Sequence, residues 1–288
     1  MSESVKSLLA KYGIKPKKTL GQSFLINGSI AEEIVIAAHL SIDDTVLEIG
    51  GGLGTLTRRI VPRVRKIYVI EKEKTLAIAL RDLLGESENL EVIEGDALDV
   101  RLPAANKVVA NLPYSISSPI TFRLLDELRF ESAVLMYQKE FAERLLSPAG
   151  SRDYSRLTIE VTYRAHVERV RNVQAKEFYP VPKVDSTVVR MTPRTSGSFA
   201  LDDTVFHWLI RGIYSYPNKQ IRKALKIWFR NLRYDDETSE KLIKRCQGGL
   251  SGNERLRELS LDELVTLSDS VFETIEDGML RDPRSNPK

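Results

Sequence analysis

The stretch TVLEIGGGLGTLT (45–57) decides how the rest of the chain is read. TVLEI (45–49) is a short run of apolar and β-branched residues, the signature of a buried strand. Gly50, Gly52 and Gly54 follow at once, where the backbone can turn sharply and approach a ligand with no Cβ in the way. The residues after them lead into a helix. Strand, glycine turn and helix in that order open an α/β sheet with a ligand site at the strand's carboxyl end.

Outward from this stretch the pattern repeats. KIYVIE (66–71), NLEVIE (89–94), KVVANLPY (107–114) and SAVLMYQ (132–138) are further apolar runs separated by helical stretches of crossover length. These are βαβ units on a parallel sheet, and right-handed crossovers make the sheet doubly wound. After Ser155 the pattern changes. RLTIEVTYRAHVERVRNV (156–173) and STVVRM (186–191) read as strands with no helix between them, so the later part of the sheet is expected to be antiparallel. TPRTSGS (192–198) has no periodicity and marks a domain boundary. Beyond it HWLIRGIY, NKQIRKALKIWFRNL, SEKLIKRC and LDELVTLSDSVFETI all space their apolar residues by three and four. The expected architecture is an α/β domain over 1–192 and a small all-helical domain over 193–288.

Composition narrows the class. A hydrophobic fraction of 42% and a charged fraction of 29% exclude a largely disordered chain. No run approaches the roughly 18 apolar residues of a membrane span, and the first 20 residues have no cleavable signal pattern, so a cytoplasmic protein is expected. Cys246 alone makes neither an intrachain disulfide nor a cysteine-based zinc site, and His39, His166 and His207 show no ligand spacing. No metal is expected. The 43 basic and 40 acidic residues leave a net charge of +3, but their distribution is uneven. Lys6, Lys11, Lys15, Lys17 and Lys18 face only Glu3 near the start, and Arg211 to Arg233 holds seven cations and no acid. Such clusters suit a polyanion, or are solvated helix faces.

Glu71 ends the second strand, about 20 residues after the first glycine, where a carboxylate accepts hydrogen bonds from ribose hydroxyls. The G-x-G-x-x-G pattern fails, because its third position falls on Thr55 or Thr57. A dinucleotide is therefore disfavoured. EGDAL (94–98) ends the third strand with Asp96 beside Glu71; its carboxylate suits an adenine amine, and the Ala97 N–H suits a ring nitrogen. Either acid alone reads as a solvated strand end. Together with the glycine turn they describe a pocket for an adenosine-bearing cofactor without phosphates, which points to S-adenosyl-L-methionine.

NLPYSISSP (111–119) closes the fourth strand. An adenine amine is a poor nucleophile, since its lone pair is delocalised into the ring. Acceptors on its hydrogens let the nitrogen become tetrahedral as a methyl group arrives. The Asn111 side-chain oxygen and the Leu112 carbonyl suit that role, Pro113 fixes the turn, and Tyr114 stacks on the base to hold it in line. The plainer reading is a strand and turn with a buried tyrosine.

At these residues the chain resembles the ribosomal RNA adenine dimethyltransferases. TLGQSFLIN (19–27), EIGGGLGTLT, Glu71, GDAL, NLPYSISSP and EFYPVPKVDSTVV (177–189) follow that family's order and spacing. The resemblance implies a Rossmann-like class I methyltransferase sheet and cofactor contacts from Gln22, Leu25, Gly50, Glu71, Asp96 and Asn111. Ser23, Gly52, Lys72 and Ala97 complete the candidate cofactor set. It also implies that Phe178 covers the target adenine opposite Tyr114, although FYPVP by itself reads as a rigid turn with Phe178 in the core. Ser23 stands where the family often has Asn or His, and its shorter reach makes it a weaker cofactor contact.

Ile221, Leu225, Trp228 and Phe229 share one helix face, and Lys219, Arg222, Lys223, Lys226 and Arg230 occupy much of the remainder. Beside a base-modifying site, that basic face reads as an RNA-backbone contact. The resemblance implies a substrate of two adjacent adenosines in a hairpin loop near the 3′ end of small-subunit ribosomal RNA, met by a monomer in ribosome biogenesis with no membrane partner. The competing readings are a large-subunit rRNA methyltransferase and a non-catalytic RNA-binding assembly or transcription factor on the same fold.

Overall fold

The computed structural model describes residues 4–17, 21–85, 87–246 and 250–285. Lys18, Thr19 and Leu20, parts of the basic N-terminal cluster and of TLGQSFLIN, lie outside the described residues. Packing divides the chain into Met1–Ala142 with Ala165–Pro193, and Glu143–Arg164 with Arg194–Lys288.

In the first unit the elements run α1 (Val5–Lys11), β1 (Phe24–Leu25), α2 (Gly28–Ala37), β2 (Thr45–Ile49), α3 (Thr57–Ile60), β3 (Lys66–Glu71), α4 (Lys74–Leu84), β4 (Leu90–Glu94), β5 (Lys107–Asn111), α5 (Ser117–Glu127) and β6 (Ser132–Gln138). A short helix, α6 (Lys139–Leu145), and α7 (Arg156–Arg164) precede β7 (Ala165–Val173), β8 (Phe178–Tyr179) and β9 (Ser186–Pro193). Seven strands form one sheet in the order β4-β3-β2-β5-β6-β9-β7. The first five are parallel, and β9 pairs antiparallel with both β6 and β7. Val46, Val108, Val109 and Val134 are wholly buried, as expected of strands covered on both faces. The strand order reverses between β2 and β5, so their carboxyl ends leave a crevice.

One expected strand is wrong in its first half. Residues 156–164 are helical, and only 165–173 join the sheet. The β-branched residues of RLTIEVTYR favour a strand locally, but packing overrides them. Thr158 turns the chain by accepting the Ser155 N–H at 3.1 Å, and Ile159 and Tyr163 enter the core of the second unit. For the same reason residues 143–164 pack with the helical unit, whereas the sequence reading assigned them to the sheet domain.

That second unit is completed by α8 (Asp203–Ile213), α9 (Ile221–Asn231), α10 (Asp236–Arg245) and α11 (Leu261–Glu276). Asp202 and Asp235 cap α8 and α10, and a reciprocal Ser260–Glu263 capping box starts α11. Tyr163 stacks on Phe206 with ring centroids 4.0 Å apart. Trp208 meets Trp228 edge-on at 4.5 Å, beside Gly212. A Cβ on Gly212 would lie 2.2 Å from Trp228 Nε1. Helix propensity alone would make Gly212→Ala stabilising by about 1 kcal/mol. Overpacking against a buried indole outweighs that gain, so the variant should lose about 2 kcal/mol net. Both tryptophans belong to this unit, and their fluorescence during urea unfolding reads the shift.

Candidate active site

The crevice at the carboxyl ends of β2, β3, β4 and β5 is a cavity walled by the glycine turn, Glu71 to Glu73, Gly95 to Ala97 and Asn111 to Ile116, with Gly21 to Leu25 along one side. Gly50, Gly52 and Gly54 all have positive φ, at 76°, 55° and 74°, a region that costs most L-residues strain. The turn is held from both sides. The Gly50 N–H donates to the Ile70 carbonyl at 2.8 Å, and Arg58 donates to the carbonyls of Leu53 and Gly54, both at 2.9 Å.

Glu71 is buried and accepts the Gly52 N–H at 2.9 Å on one oxygen and the Glu73 N–H at 3.0 Å on the other. Burial nonetheless pushes its carboxyl up, because these bonds only partly offset the loss of water. The Lys72 ammonium bonds Asp96 and, with the Leu98 N–H on the other oxygen at 2.9 Å, holds that carboxyl below the usual range. Arg123 fixes the next residue by donating to the Ala97 carbonyl at 2.6 Å.

The facing wall is the end of β5. The Asn111 side-chain amide donates to the Ser23 carbonyl at 3.4 Å, which leaves Oδ1 as an acceptor. Pro113, with φ of −58°, turns the chain after Leu112. A Cβ on Gly50 would lie 3.5 Å from Pro113 Cδ, an ordinary contact, so it is the φ of 76° and not crowding that calls for glycine there. The Tyr114 hydroxyl shares a 2.6 Å hydrogen bond with that of Ser186.

Every candidate cofactor residue therefore lines one cavity: Gln22, Ser23, Leu25, Gly50, Gly52, Glu71, Lys72, Asp96, Ala97 and Asn111. Leu112, Pro113 and Tyr114 line it too. Phe178 does not line it. β8 pairs with β1, Leu25 opposite Phe178, and this turns the ring into the core with Val173 and Val188 at 1% exposure. The Ser23 hydroxyl donates to the Pro180 carbonyl at 3.1 Å and ties the N-terminal segment to the proline turn. Gln22 closes its own loop by accepting the Lys17 N–H at 2.8 Å.

Glu48 was missed by the sequence reading. It lies in β2 at 1% exposure and lines the cavity, and the Thr57 hydroxyl beside it only partly offsets the loss of water. Burial, with the nearby Glu71 charge, pushes its carboxyl up to about 8. The available signal was an acid inside the apolar run TVLEI. Around it Asp96 is paired with Lys72 and Glu73 with Lys17, at 2.7 Å, so of these three neighbouring acids Glu71 is the cavity carboxyl with no cation partner among the described residues. Such a carboxyl suits a ligand that brings hydroxyl or amine donors.

The sequence pattern of the family described as ribosomal RNA adenine dimethylase matches residues 13–270. The chain belongs to this family. It is an rRNA adenine dimethyltransferase on a Rossmann-like class I methyltransferase fold. The dimethylase is similar to a protein of Methanosarcina mazei named a probable ribosomal RNA small subunit methyltransferase A, 41% identical over 93% of this chain and 97% of the relative. A Methanopyrus kandleri protein of the same name is 41% identical over 92% and 95%. Among solved structures, a dimethyladenosine transferase from Plasmodium falciparum superposes with a TM-score of 0.75 at 32% identity, covering 88% of this chain and 98% of that one. The 23S rRNA methyltransferase ErmE gives 0.66 at 27% identity, over 86% and 99%.

In the helical unit the five candidate RNA-binding cations are divided. Glu240 of α10 pairs with Arg222 and, at 3.0 Å, with Lys226, while Asp236 pairs with Arg230 at 2.6 Å. Lys219 and Lys223 are exposed and have no acid partner among the described residues. The uniformly basic face expected from α9 is therefore partly neutralised by the helix that follows it. Among the described residues no group of three or more His, Cys, Asp or Glu could hold a metal ion, and no helix is long and apolar enough to cross a membrane.

Proposed function

We propose that the dimethylase uses S-adenosyl-L-methionine to dimethylate the N6 amines of two adjacent adenosines in a hairpin loop near the 3′ end of small-subunit rRNA, as a cytoplasmic monomer serving ribosome biogenesis. The observation that carries the reading is one cavity with two unlike walls. Glu71 and Asp96 stand at successive strand ends on one, and Asn111, Leu112 and Tyr114 form the other. The small-subunit assignment is supported by the names of the two archaeal relatives.

In this reading Glu71 receives the ribose hydroxyls on lone pairs its two backbone bonds leave open. Asp96 receives the adenine amine of the cofactor, and the Ala97 N–H a ring nitrogen. Gly52 and Gln22 hold the methionine end. When bound, the cofactor supplies a methyl group on a sulfonium. The chain's own residues do the rest. Asn111 Oδ1 and the Leu112 carbonyl accept the two hydrogens of the target amine and direct its lone pair along the line of transfer. Tyr114 stacks on the base. An unpaired loop suits this site, since the base must leave its stack to reach it.

Lys219 and Lys223 are the open part of the RNA surface on the helical unit, and Arg222 and Lys226 are held in reserve by Glu240. Exposed pairs of this kind are weak, so phosphates can compete for the cations. Replacing both Lys219 and Lys223 by Gln should weaken RNA binding several-fold and flatten its salt dependence by roughly two phosphate contacts. Glu240→Gln should act in the opposite sense. Filter binding across a salt series reads both, and unchanged slopes would remove this surface from the substrate path.

The deciding experiment incubates purified protein and labelled S-adenosyl-L-methionine with unmodified small subunits, with large subunits as the comparison. Mass mapping then locates the label. Dimethyladenosines confined to small-subunit RNA are expected. Label in large-subunit RNA instead would move the assignment to the activity named for ErmE.

A further inference from the structure

We infer that Ser186, which does not line the cavity, is a positioning residue for methyl transfer: it fixes the axis of the Tyr114 ring. Its hydroxyl lies 2.6 Å from that of Tyr114, 72 residues away in sequence. The anchor is rigid. Ser186 is wholly buried at the start of β9 and sits between two neighbours, opposite Gln138 of β6 and Val173 of β7. The residue before it is fixed as well, since the Asp185 carbonyl accepts the Lys139 N–H and its carboxylate accepts the Ala175 N–H, both at 2.9 Å.

Tyr114, by contrast, starts a single 3-10 turn on the cavity wall. A phenol oxygen lies on the long axis of its ring. A tether there leaves the ring free to spin but stops its axis from swinging, which sets where the stacking face stands over the cavity. A base stacked on that face is thereby held in line with the methyl donor, a requirement in which errors of about 1 Å cost up to a hundredfold in rate.

The inference rests on Tyr114 stacking against the target base. It is tested on whichever ribosomal subunit the wild type labels, so a wrong subunit assignment leaves the test standing. Ser186→Ala and Tyr114→Phe each remove one half of the tether. Each should lower kcat about tenfold with cofactor affinity unchanged. The double variant should be no slower than either single one, because both delete the same contact. Tyr114→Phe keeps every backbone and packing contact of Ser186, which separates the tether from a general loss of stability. Losses that multiply in the double variant, or single variants with wild-type kcat, would overturn the assignment.

Discussion

Asn111→Ala should lower the single-turnover rate of methyl transfer about a thousandfold while the protein still folds and binds labelled cofactor. The expectation follows from what the amide does on each side. Its nitrogen donates to the Ser23 carbonyl, which sets the direction of the oxygen. That oxygen is one of two acceptors for the amine hydrogens, and its value is greatest as the nitrogen becomes tetrahedral. Alanine removes the acceptor and the orienting bond together. The glycine turn and Glu71 keep their own bonds, so cofactor affinity should change only a few-fold. Asn111→Asp keeps an oxygen in place and loses the donor to Ser23, and should fall between alanine and wild type. Wild-type turnover in the alanine variant would remove Asn111 from the chemistry.

The parallel half of the sheet was legible because its central strands, β2, β5 and β6, are buried on both faces. Such strands read as unbroken apolar runs whatever lies beside them. The cavity was legible for a related reason: glycine turn, Glu71, Asp96 and NLPY all sit at strand ends, where topology brings distant segments to one edge. Three features were hidden because their cause lies far along the chain. The segment 156–164 has β-branched residues but becomes a helix through contacts with residues beyond 200. Phe178 is turned inward by pairing with Leu25, more than 150 residues earlier, and no local pattern foretells that ladder. The basic face of α9 meets its acids in α10, so a charge run read alone overstated what is open to RNA. The Ser186 tether is of the same kind.

Glu48 leads to the second large effect, which runs with pH. The ordinary value of such a carboxyl is 4.5, and the fold raises it to about 8. Below the lower value both folded and unfolded chains hold the proton, and the group's contribution is fully present. Between the two values the unfolded chain releases its proton and the folded chain does not, so stability falls as pH rises. The loss is complete above about 8 and is on the order of 5 kcal/mol for a buried group with this shift. Glu48→Gln abolishes that titration. Its amide brings one more buried donor than the protonated carboxyl, so near pH 5 the variant should be less stable by about 1 kcal/mol. At pH 8.5 the order should reverse, with the variant more stable by roughly 3 kcal/mol. Glu71 is also pushed up by burial, and because its charge acts on Glu48 only the part of its titration independent of Glu48 cancels in the difference. Urea unfolding of the two proteins at pH 5, 7 and 8.5 gives the comparison directly. Curves that stay parallel across that range would mean that Glu48 is already ionised in the folded state, with a cation or water beside its carboxylate.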